Sequence, residues 1–133
     1  MTGRLVGLLI GIDAYPPPLP RLEGCANDVH AFADLLRARV PPGLLDLRIL
    51  VDAEATRDAA IAAIAGHLGS AGPGDAALLY YSGHGSQGEA PPELWPLEPD
   101  RRVETLVLVD SRQPGRWDLA DKELALLLGD VAA

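Results

Sequence analysis

The sequence predicts an α/β three-layer sandwich on a mostly parallel sheet, and three observations carry that expectation. Short apolar runs alternate along the chain with segments of helical periodicity. The first run, Leu5–Ile12 (LVGLLIGI), is apolar on both faces, as a central parallel strand must be. The third run, Ala76–Tyr81, breaks off at Ser82-Gly83-His84-Gly85, so a buried strand ends by presenting an imidazole between two residues without side chains.

Each element follows from local patterning. Leu5–Ile12 is closed by Asp13 and by prolines 16–18 and 20. Val29, Phe32, Ala33, Leu36 and Val40 form one stripe of a helix starting near Ala26–Asp28 and stopped by Pro41-Pro42-Gly43. Leu47–Val51 reads as a second strand ending at Asp52. Thr56 is an N-cap for a helix carrying Ile61, Ile64, Ala65 and Leu68, which Gly69 and the 72–75 turn terminate. After the Ala76–Tyr81 strand, four prolines within Gly88–Asp100 exclude regular structure there. Leu106–Val109 is expected as a fourth strand, and Leu124, Leu127, Leu128 and Val131 mark a third helix with Asp118 or Asp121 near its start.

Composition narrows the function classes. The chain has 133 residues, enough for one layered core, and is taken as one domain over 1–133. A net charge of −8 leaves no basic face for phosphates, so no nucleic-acid partner is expected, and basic ligands suit an acidic protein better. The Leu5–Ile12 run is too short to span a bilayer, so no membrane association is expected. A single cysteine rules out an internal disulfide and fits a cytoplasmic location.

Parallel strands place their C-terminal ends at one edge, where ligands bind. That edge should gather the loop after Ile12, residues Cys25–Asp28 and the turn Ser82–Gln87. His84 is then a candidate acid–base group, since imidazole titrates near neutrality. Glycines 83 and 85 would admit a carbonyl, with the Gly85 amide as oxyanion donor. The string Gly83–Gly88 also satisfies GxGxxG, but Glu89-Ala90-Pro91-Pro92 follows where a dinucleotide fold needs a helix. A serine-hydrolase elbow around Ser82 fails because Tyr80 stands where glycine is required. His30 and His67 fall inside helices, and one cysteine without a close histidine pair gives no zinc site.

Together, LLIGIDAY (8–15), LEGCANDV (22–29), TRDAAIAAI (56–64), GDAALLYYSGHGSQ (74–87), ETLVLVD (104–110) and LADKEL (119–124) resemble, in order, the caspase-like cysteine peptidases, metacaspase-type domains above all. The resemblance implies a caspase-like fold and proteolysis with a histidine base, which His84 matches. It also implies a cysteine nucleophile at the end of the next core strand, about 50 residues after the histidine. Cys25 lies upstream of His84 and does not match it, so the chain is expected to hold the N-terminal portion of the domain, incomplete at its C-terminus. Alone it is expected to be inactive, the nucleophile lying beyond residue 133.

By position, the S1 pocket of Arg/Lys-specific members corresponds to Cys25, Asp28 and Ser82. Leu22 stands where Asp-specific caspases carry an arginine, so a peptide or protein substrate with a basic P1 residue is expected. No cofactor or metal is expected apart from calcium, which the resemblance leaves open. Glu93, Glu98, Asp100, Glu104 and Asp121 lie in the relevant region, with Lys122 in place of a second adjacent acid. Fused or partner domains are compatible with this reading. Two rivals remain: a non-catalytic caspase-like interaction module, and a dyad in which Cys25 itself is the nucleophile.

Overall fold

The computed structural model describes residues 3–89, 96, 100 and 102–133. Three strands, β1 (Leu5–Gly11), β2 (Leu45–Val51) and β3 (Ala76–Ser82), form a parallel sheet in the order β2-β1-β3. The alternation of β1 sets the layers. Val6, Leu8 and Ile10 join a core with Ala60, Ile64 and Leu68, whereas Leu9 packs on the other face with Val29 and Ala33. Helix α1 (Cys25–Arg39) therefore covers one face. The other is covered by α2 (Arg57–Ala62), which continues as a π-helical turn and a 3-10 turn to Ser70, and by α3 (Asp121–Ala132). This is the expected three-layer sandwich.

The strand ends coincide. Gly11 is in register with both Val51 and Ser82, so the three chain exits leave the sheet side by side. From β1 the chain crosses to β2 on one side. From β2 it crosses back over β1 to β3 on the other. The crevice between the C-termini of β1 and β3 is thus a topological switch point, where α/β sheets bind ligands. Gly11 brings α1 close to this point: a Cβ there would lie 2.6 Å from Val29 Cγ2 and 2.9 Å from the Cys25 carbonyl oxygen. Strand β3 has β1 on one side and, among the described residues, no strand on the other.

Two expectations are corrected beyond β3. The chain turns at Gly83-His84 straight into a second, antiparallel sheet, β4 (Gly85–Glu89), β5 (Arg102–Leu106) and β6 (Leu119–Ala120), in the order β4-β5-β6. The fourth strand is therefore Arg102–Leu106, not Leu106–Val109, and Gly88 and Glu89, expected to lack regular structure, belong to β4. Its alternation of exposed Arg102 and Glu104 with buried Val103 and Thr105 suits a sheet with one solvated face. Val107 and Leu108 are fully buried but make single, non-repeating bonds, Val107 N–H to the His84 carbonyl and Leu108 N–H to Ser111 Oγ. An apolar run reports burial, and burial alone does not make a strand. Pro91, Pro92, Pro99, Glu93 and Glu98 lie outside the described residues.

The helix expectations hold at Thr56, whose Oγ1 accepts the Ala59 N–H at 3.1 Å, and at Asp121, where α3 begins. Helix α1 starts at Cys25, one residue before the expected range. His67 is satisfied inside its helix, with Nε2 2.9 Å from the Gly7 carbonyl. Among the described residues no helix is long and apolar enough to cross a membrane.

Candidate active site

The backbone of His84 is gripped on both sides. Its N–H donates to the Tyr15 hydroxyl at 2.9 Å. Its carbonyl accepts from the Tyr81 hydroxyl at 2.7 Å and from the Val107 amide at 3.0 Å. The two phenol oxygens are 3.1 Å apart, and each lies 2.7 Å from the Val107 carbonyl. Burial pushes both phenols above their ordinary value, so they stay neutral. Gly83 makes the cluster sterically possible, since a Cβ there would sit 2.6 Å from both hydroxyl oxygens.

The ring of His84 is oriented separately. It lies against Tyr15 with ring centroids 4.6 Å apart, and its Nε2 is 2.8 Å from the Pro20 carbonyl. A carbonyl only accepts, so this bond requires a proton on Nε2. In the neutral ring the lone pair is then on Nδ1, the atom available as a base. The next residue is also placed by the turn. Val107 N–H bonds the His84 carbonyl, so in the β4–β5 ladder the Gly85–Leu106 pair falls at the non-bonded position. The Gly85 N–H is directed away from β5.

Cys25 occupies a different environment. The first turn of α1 has Gly24 at its N-cap, with no capping side chain of its own. The cap comes instead from Asp13, whose carboxylate accepts the Cys25 N–H at 2.8 Å and the Ala26 N–H at 3.1 Å. Burial works against that charge, but the Ala26 and Cys25 amide bonds outweigh it and hold the Asp13 carboxyl below its ordinary value. The thiol is shifted upward, first by burial and then by the Asp13 and Asp28 charges, against a hydrogen bond from the Ser82 side chain. A half-buried thiol flanked by carboxylates stays protonated, the opposite of an activated nucleophile.

The residues singled out in the sequence therefore form two groups at one rim. Cys25 and Ser82 are in contact, and Asp28, exposed in the first turn of α1, is close enough to act on the same thiol. His84 and Gly85 form the second group, at the β3–β4 turn. Sequence reasoning missed the residues that hold both: Asp13, Tyr15, Pro20, Asp52 and Tyr81. Their one legible signal was position, with Asp13 and Asp52 each closing a parallel strand, but both served only as terminators. The GxGxxG string runs into β4, so no helix N-terminus faces it. Among the described residues no group of three or more His, Cys, Asp or Glu could hold a metal ion. Glu104 bonds Gln87, and Asp121 pairs with Lys122. A 680 Å³ cleft lined by Asp75, Ala77, Leu128 and Val131 lies at the opposite end of β3, away from these groups.

A three-layer α/β domain with an oriented histidine at the C-terminal rim of its parallel strands defines the class of protein. The chain belongs to the caspase-domain family, peptidase C14, a cysteine peptidase family whose model matches residues 4–114. It is 35% identical over 136 aligned residues to a metacaspase-1 of Mycosarcoma maydis, covering 96% of this chain and 32% of that protein. It is 36% identical over 99 residues to a metacaspase-3 of Trypanosoma cruzi, covering 68% and 27%. A crystal structure of a Geobacter sulfurreducens protein superposes with a TM-score of 0.75 at 30% identity, over 96% of this chain and 45% of that one. The chain thus spans between about a quarter and a third of the length of the curated relatives it matches.

Proposed function

We propose that this chain supplies the base, the oxyanion donor and the S1 wall of a cysteine endopeptidase that cleaves after arginine or lysine. The observation that carries the reading is the His84 ring at the rim, held with Nε2 on the Pro20 carbonyl, which leaves Nδ1 as the unprotonated nitrogen of the neutral ring. The nucleophilic thiol comes from a further strand outside these 133 residues, for which the side of β3 that pairs with no strand among the described residues is the fitting place. The raised thiol of Cys25 and its carboxylate neighbours argue against that role for it.

In the reaction Nδ1 of His84 takes the thiol proton, and the thiolate attacks the carbonyl carbon of the scissile bond. The Gly85 N–H donates to the resulting oxyanion. The protonated imidazole then gives its proton to the leaving amine as the C–N bond breaks, leaving an acyl-enzyme. Water, deprotonated by the same nitrogen, hydrolyses the thioester and restores the thiol. Asp28, exposed beside Cys25 and Ser82, supports recognition of a guanidinium or ammonium group at P1, as does the net charge of −8.

The test uses the longer protein that carries this chain and its downstream sequence. His84→Ala should lower kcat for an Arg-P1 peptide by about 10²–10⁴-fold. Unchanged cleavage would overturn the assignment. If the parent protein cleaves no Arg- or Lys-peptide while still binding a protein partner, the domain is an interaction module instead.

A further inference from the structure

Asp52 is the one residue other than glycine with a positive φ among those described, at 52°. Left-handed backbone is unfavourable for a side chain bearing a Cβ, although Asp and Asn tolerate it better than most residues. Strain of this kind persists only where the surroundings hold it, and here the side chain is what is held. Asp52 Oδ1 accepts the backbone N–H of Asp13 at 2.8 Å and of Ala14 at 3.0 Å. The left-handed turn at the end of β2 thus carries a carboxylate to the first residues beyond β1.

Asp13 passes this hold onward. Its carbonyl accepts the amides of Tyr15 at 3.0 Å and Leu22 at 2.9 Å, and its carboxylate accepts those of Cys25 and Ala26. The loop so tied contains both groups that orient His84: the Tyr15 hydroxyl on its amide and the Pro20 carbonyl on its ring. It ends at Cys25, which meets Ser82. We propose that Asp52 is a positioning residue for both halves of the site, acting through Asp13 on the His84 partners and on the Cys25–Ser82 wall. The roles given to those two halves rest on the peptidase reading, whereas the relay itself does not.

Because Cys25 is the single cysteine, its alkylation reports the relay directly on the 133-residue chain. Asp52→Asn keeps a weaker acceptor oxygen and a residue tolerant of positive φ. Iodoacetamide should therefore label Cys25 somewhat faster than in the parent but more slowly than in variants that lose the acceptor. Asp52→Ala and Asp52→Gly lose the acceptor, and both should label at least threefold faster as the start of α1 loosens. Glycine separates the two possible causes when set beside alanine: both lack the acceptor, but only alanine keeps the positive-φ strain. A parent-like rate for Asp52→Gly or Asp52→Ala would overturn the proposal.

If either variant fails to fold, amide hydrogen exchange of Asp52→Asn against the parent decides. The weaker acceptor should lower protection at residues 13 and 14 and, in step, at residues 25 and 26. Loss confined to 13 and 14 would overturn the relay. If the relay holds while cleavage by the longer protein is indifferent to His84, the peptidase reading falls and the relay stands.

Discussion

His84 and Cys25 lie at the same rim of the same sheet but are held by opposite chemistries. The histidine is gripped by two phenols and a carbonyl, all neutral, which fix its backbone and ring without placing charge beside it. The cysteine is gripped by a carboxylate, which caps its helix and adds to the upward shift that burial gives its thiol. The first arrangement suits a group that must give and take protons. The second suits a group that must stay uncharged and hold a shape. A cysteine and a histidine at one sheet edge are therefore not a dyad by proximity: the partners of each decide its role.

The sharpest way to break the contrast is to disturb the phenol cluster. Gly83→Ala forces a methyl to 2.6 Å from both hydroxyl oxygens, closer than van der Waals contact allows. It should cost about 1–3 kcal/mol of stability, as overpacking does, read as a fall in the urea midpoint. A smaller effect separates the two tyrosines. Tyr15→Phe removes the acceptor for the His84 N–H and should cost about 1–2 kcal/mol, the penalty of an unpaired, part-buried amide. Tyr81→Phe leaves the His84 carbonyl with Val107 N–H and the Val107 carbonyl with Tyr15, so about 1 kcal/mol is expected. The reverse order in thermal denaturation would show the clamp to be wrongly apportioned.

On the cysteine side, Asp13→Asn removes a charge that raises the thiol, so Cys25 should alkylate severalfold faster at pH about 8, where the thiolate fraction limits the rate. The same variant tests acid stability. The native carboxyl lies below its ordinary value of 3.8, so its contribution is fully present above that pH and is lost as the pH falls through the lower native value. Asp13→Asn should flatten that part of the stability profile, measured by urea unfolding between pH about 5 and 3. An unchanged slope would remove Asp13 as the cap of α1.

How much of this was legible in the sequence differs between the same two regions. The parallel layers were, because Leu5–Gly11 is apolar on both faces and Val29 and Ala33 repeat at helical spacing. His84 was, because a strand ending in Gly-His-Gly has few structural uses. The antiparallel hairpin was not: the apolar run Leu106–Val109 outweighed the alternating Arg102–Leu106, and continuous burial without a ladder looks like a strand in one dimension. Nor were the partners. The cap on Cys25 comes from twelve residues upstream, and the carboxylate holding that cap comes from another strand end, 39 residues further along the chain than Asp13. Local capping patterns see only neighbours in sequence, while Asp13 and Asp52 become neighbours only once β1 and β2 pair in register.

Base chemistry at His84 depends on which of its ring nitrogens carries the proton. Long-range ¹H–¹⁵N NMR of the uniformly labelled chain, above the pH at which the ring is neutral, reads this directly for each histidine. The Pro20 contact predicts that His84 is the Nε2–H tautomer, with an unprotonated Nδ1. An Nδ1–H tautomer, or an even mixture of the two, would contradict it and leave the site without its base.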